Sequence, residues 1–91
     1  MPINIYTDDD DSTKVAYLCE SSWSLPTQIS ELEKWILLNK QNLEKKLYVA
    51  DIGFAIREDA SGGGATMSPM LMGVLSESGF SLYLSEYRGV E

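Results

Sequence analysis

Four consecutive aspartates, Asp8–Asp11, are the densest set of ionisable groups in the chain. Adjacent carboxylates suit three tasks: holding a cation, attracting a basic surface, or solvating a turn. A calcium loop spaces its ligands, turns on a glycine and closes on a distal glutamate. Asp8–Asp11 has no such spacing and no glycine, so no metal ligands are expected. Two readings stay open for Asp8, Asp9, Asp10 and Asp11: a solvated turn that discourages edge-to-edge strand pairing, and recognition of a basic partner. Asp51, Glu58 and Asp59 are the other acids expected to contact such a partner.

Other chemistry finds little support in the residue types. The 91 residues include no histidine and one cysteine, Cys19. Histidine-based triads, histidine metal sites and internal disulfides are thereby excluded. Asp51, Glu58, Asp59, Glu77 and Glu86 have the functional group for acid–base work, but no spacing selects a pair. No serine lies in a Gly-x-Ser-x-Gly elbow. Gly62–Gly64 is followed by Ala65-Thr66-Met67-Ser68, without the Gly-Lys-Ser/Thr of a phosphate loop. It reads as a loose connector. No catalytic residue and no cofactor is expected.

Fourteen acids against seven bases give a net charge of −7. That charge disfavours direct binding to nucleic acid or anionic membrane and favours a basic protein partner. Seven acids and one base, Lys14, fall in residues 1–33, whereas residues 34–46 hold four lysines and Glu44. The acids after Met1–Tyr6 leave no room for the apolar core of a secretory signal, and no apolar run approaches the roughly 20 residues of a membrane span. A cytoplasmic protein is the expectation, with Cys19 as a small buried hydrophobe.

The elements that position these groups are legible from pattern. Ile3–Tyr6 and Val15–Cys19 read as strands around an acidic turn. Apolar residues at 25, 29, 32, 36, 43 and 47 give one helix over about 27–46. Thr27 is its expected cap, Glu31 and Glu33 lie near its start, and Lys40, Lys45 and Lys46 lie at its end. Ile52-Gly53-Phe54-Ala55-Ile56 alternates as a strand. Ser68-Pro69 opens a short helix that Gly79 stops, and Phe80–Ser85 is a strand. Met67, Met70 and Met72 around that helix read first as core filler. The result is a single α+β domain in the order β-β-α-β-α-β. Its four-stranded sheet, antiparallel or mixed, carries two helices on one face.

The segments Ile52–Ile56, Ser68–Leu71 and Gly79–Tyr87 resemble a bacterial domain family of uncharacterised, immunity-protein type. The resemblance covers the last forty residues and carries over no functional residue. It implies an immunity protein; the net charge of −7 then makes a basic surface of the toxin the expected contact, with a nuclease-type toxin as one candidate because nuclease clefts are basic. Two other functions fit the same residues: a phage-type inhibitor that mimics DNA charge, and a small assembly subunit pairing through the Tyr83/Tyr87 strand.

Overall fold

The computed structural model describes residues 2–89. In chain order these form β1 (Ile3–Thr7), β2 (Lys14–Leu18), α1 (Leu25–Asn39), β3 (Tyr48–Ala55), α2 (Pro69–Glu77) and β4 (Phe80–Tyr87), with a 3-10 turn at Lys40–Asn42. The strand order is β2-β1-β3-β4. β1 runs antiparallel to both β2 and β3, and β4 runs parallel to β3. The short turn after β1 returns the chain directly, whereas α2 carries it back along the sheet, so β4 starts in the direction of β3. The sheet is therefore mixed, and the class is α+β as expected.

The core lies between the helices and one face of the sheet. Cross-strand registers give the apolar rows Leu18–Ile3–Ile52–Leu84 and Ala16–Ile5–Ala50–Leu82 on that face. Ile29, Leu32 and Ile36 of α1 and Leu71, Val74 and Leu75 of α2 pack against them. Trp35 meets the Phe80 ring edge-on, and Tyr48 stacks on Phe80 at 5.0 Å.

The second helix follows its sequence signals. The Ser68 hydroxyl accepts from the Leu71 N–H at 3.0 Å and caps α2, Pro69 is its first residue, and Gly79 takes a left-handed φ of +82°. The first helix departs from expectation at both ends. It starts at Leu25 with Ser24 in the cap position and Pro26 in the first turn. Thr27 is thus inside the helix, and Glu31 lies beyond its first turn. It ends at Asn39 rather than near residue 46. The Asn39 amide turns back to donate to the Trp35 carbonyl at 2.8 Å, and by Leu43 the backbone is extended. Lys45 and Lys46 therefore stand on the connection to β3, not on a helix terminus. β3 begins at Tyr48, four residues before the expected Ile52, because Tyr48, Val49 and Ala50 are all buried and hide the alternation. Met70 and Met72 are exposed, so only Met67 of the three methionines packs on the core.

Candidate functional site

Both helices sit on one face, which leaves the other face of the sheet open. Successive strand residues alternate faces, and the registers place Tyr17, Asn4, Asp51 and Tyr83 side by side across all four strands. The adjoining row is Lys14, Tyr6, Val49 and Ser81. Tyr17 and Tyr83 are exposed, whereas Val49 is buried among its neighbours. The Lys14 ammonium lies 5.0 Å from the centre of the Tyr17 ring, a cation–π contact. Ser85 donates to the Asp51 carboxylate at 2.9 Å, fixing its orientation.

Electrostatics tie this face to the hairpin turn. Burial raises the Tyr6 phenol above its ordinary pKa, and Asp51, Tyr83 and Asp8 push in the same direction. Tyr6 therefore stays neutral and a hydrogen-bond donor at physiological pH. The face combines rigid aromatic rings with short polar groups and one central carboxylate, a composition suited to gripping a cationic side chain.

The residues expected to bind a partner separate into three groups. Asp8, Asp10 and Asp11 are exposed on the β1–β2 turn, at the Tyr48 end of β3. Asp51 stands mid-strand on the open face. Glu58 and Asp59 are exposed beyond Ala55, at the opposite end of the sheet, where Glu58 pairs with Arg88 at 3.4 Å. The structure thus brings Asp51 and Asp8 around Tyr6, whereas Glu58 and Asp59 lie past the far end of β3, seven strand residues or about 23 Å from its Tyr48 end. Glu91 lies outside the described residues. Lys46, paired with Glu44 at 3.2 Å, acts on Asp9, so the acidic turn has a basic neighbour. The sequence marks Tyr83 only as part of a pairing strand and does not mark Tyr17 or Asn4, because the adjacency of the three depends on strand order, which a one-dimensional pattern does not contain.

Asp9 is committed to the turn itself. Its carboxylate accepts from the Thr7 hydroxyl at 2.8 Å, from the Ser12 N–H at 3.0 Å and from the Asp11 N–H at 3.1 Å. The Thr7 bond is the largest cause of its lowered pKa, with the Ser12 and Asp11 bonds and Lys46 adding to it. An acid depressed on folding adds stability above its unfolded pKa of about 3.9, and that stability is lost as pH falls through the lower folded value. Asp9→Asn is therefore expected to lower the melting temperature at neutral pH. The gap to wild type should close as the pH drops below about 4. Thermal melts across this range check the sign; a gap that widens in acid contradicts it.

Two further features frame the site. A cavity of about 430 Å³ opens at the Ala55 end of β3, between Trp23, Pro26, Phe54 and Ile56, away from the tyrosine row. Cys19 is half-buried against the core with a thiol pKa raised first by burial. Among the described residues no group of His, Cys, Asp or Glu is arranged to hold a metal ion, and no helix is long and apolar enough to cross a membrane.

The fold places the chain among two-layer α+β domains with helices on one side of a mixed sheet. Compared with known proteins, the chain matches no family model, and no curated protein or solved structure is significantly similar to it.

Proposed function

We propose that this protein acts by binding rather than catalysis, and that its open sheet face docks a basic protein surface. The uncovered row Tyr17–Asn4–Asp51–Tyr83 on a chain of net charge −7 carries this reading. An arginine or lysine of the partner would pair with Asp51 and lie against the flanking tyrosine rings. Asp8, Asp10 and Asp11 form an acidic rim that speeds the encounter without joining the contact. A bacterial immunity protein that occludes a toxin's basic cleft is the form of this function that the acidic charge and the resemblance of residues 52–91 favour. The absence of histidine from the sequence supports the non-catalytic part of the proposal.

Binding kinetics separate the two roles. Changing Asp8, Asp10 and Asp11 together to asparagine is expected to slow association several-fold and flatten its salt dependence, with dissociation little changed. Tyr83→Ala is expected to speed dissociation at least ten-fold, the loss typical of a central aromatic anchor. Unchanged dissociation in Tyr83→Ala would remove the open face from the mechanism.

A further inference from the structure

We propose that the outer edge of β4 pairs antiparallel with the same edge of a second copy of this chain, on a two-fold axis at Tyr83. β4 is an edge strand of eight residues. The carbonyls of Gly79 and Tyr87 accept from Tyr48 and Ile56 on the β3 side, at 2.8 and 3.0 Å. Alternate residues of a strand bond the same neighbour, so odd-numbered residues of β4 turn their backbone groups to β3. Those of Phe80, Leu82, Leu84 and Glu86 turn outward.

The side chains carry a matching symmetry. Ser81-Leu82-Tyr83-Leu84-Ser85 reads the same in both directions. A two-fold at Tyr83 sets Ser81 opposite the second copy's Ser85 and Leu82 opposite its Leu84. Leu82 and Leu84 are residues whose N–H and C=O point outward, so these pairs exchange backbone hydrogen bonds. Tyr83 then meets its own copy as a non-hydrogen-bonded pair, the closer side-chain approach. No like charges oppose one another, since Glu86 faces Phe80. The bonding phase of β4 allows any two-fold centred on a residue, and the palindrome selects the one at Tyr83.

Exposure and contrast support the same occupant. Leu84 is 55% and Tyr83 53% exposed. Leu82 lines a groove of about 400 Å³ with Leu47, Met67 and Met72, and the second copy's Leu84 arrives at its mouth. The opposite edge, β2, is defended: it has five residues, starts at Lys14, pairs through a register shift at Ile5/Tyr6, and ends before Cys19 with φ +57°. Residues 80–85 of β4 have no charge, proline or bulge. Pairing would double the open-face row, placing the two Tyr83 side chains between two Asp51 residues.

Light scattering is expected to give twice the 10.1 kDa of one chain. Salt should tighten this dimer, because it screens two charges of −7, whereas it weakens capture of a basic partner; the two proposals thus fail separately. Leu84→Lys, on the helix side of the edge, should give a monomer with an unchanged circular dichroism spectrum and an intact tyrosine row. In a Cys19→Ser background, Tyr83→Cys should oxidise to a linked dimer at least ten-fold faster than Ser81→Cys. Paired Tyr83 Cα atoms would lie about 4.5 Å apart, within disulfide reach, whereas the Ser81 copies are offset by about 13 Å along the strand. A monomer at millimolar protein, a dimer that survives Leu84→Lys, or equal oxidation at both positions would overturn the proposal.

Discussion

Replacing Gly79 by alanine is expected to destabilise the protein by about 3 kcal/mol or more. Two costs combine. Gly79 has a φ of +82°, where a Cβ is strained by about 1–2 kcal/mol. That Cβ would also stand 2.5 Å from the Lys46 carbonyl oxygen, a main-chain atom. Relief is hindered because the next strand is tied to the same place: the Tyr48 N–H donates to the Gly79 carbonyl at 2.8 Å. Moving Lys46 away pulls the start of β3 from β4. For a domain of this size the melting temperature should fall by about 12–24 °C. The alanine variant of exposed Gly73, whose Cβ would meet nothing within 4 Å, should show no comparable loss. A melting point for Gly79→Ala within a few degrees of wild type would contradict the close approach of α2's stop to the β3 entry.

The second large effect is expected at Gln28. This side chain is fully buried in the first turns of α1, and its amide nitrogen donates to the Gly53 carbonyl at 2.7 Å and the Ser22 carbonyl at 2.9 Å. It therefore fastens the helix to β3 and to the segment leading into the helix. Its oxygen finds no donor among the described residues. Gln28→Ala removes both bonds and leaves a void, at a cost of about 3–4 kcal/mol. Gln28→Leu keeps the volume and removes the orphaned oxygen, yet leaves both carbonyls without their donor. It should recover only part of the loss and remain about 1–2 kcal/mol below wild type. Chemical denaturation of the two variants measures the difference. A leucine variant as stable as wild type would show that packing alone fixes α1 on the sheet.

These two residues mark what was legible in the chain and what was not. Gly79 is readable as a helix stop because the left-handed position needs a glycine, but its contact with Lys46 belongs to the tertiary structure. Gln28 falls on the apolar stripe of α1 by spacing, but its polar side chain argues against burial, and its partners Ser22 and Gly53 are set only by the tertiary structure. The boundaries of α2 follow Ser68, Pro69 and Gly79, signals that act within one turn. The end of α1 falls at the polar run Asn39–Asn42, a break signal that the lysines at 45 and 46 outweigh because they resemble a helix terminus; the Asn39 side chain makes the break. The start of β3 is hidden in the sequence because burial on both faces erases period-two alternation. Charge alone does not place the acids together, and the fold scatters them along the sheet. The tyrosine row is built from four strands, one of them parallel, and its members meet only once the order β2-β1-β3-β4 is known.

The most direct test of the binding face is affinity capture from a lysate of the cells that make this protein, using wild type and Asp51→Lys in parallel at low and high salt. Asp51 sits at the centre of the row, with Ser85 as its partner, and a lysine there opposes any cationic docking group. The expected result is one stoichiometric basic protein on wild type at low salt, released at high salt and missing from an equally folded Asp51→Lys. Capture of the same protein by both forms, or of none by either, would contradict docking through the open sheet face.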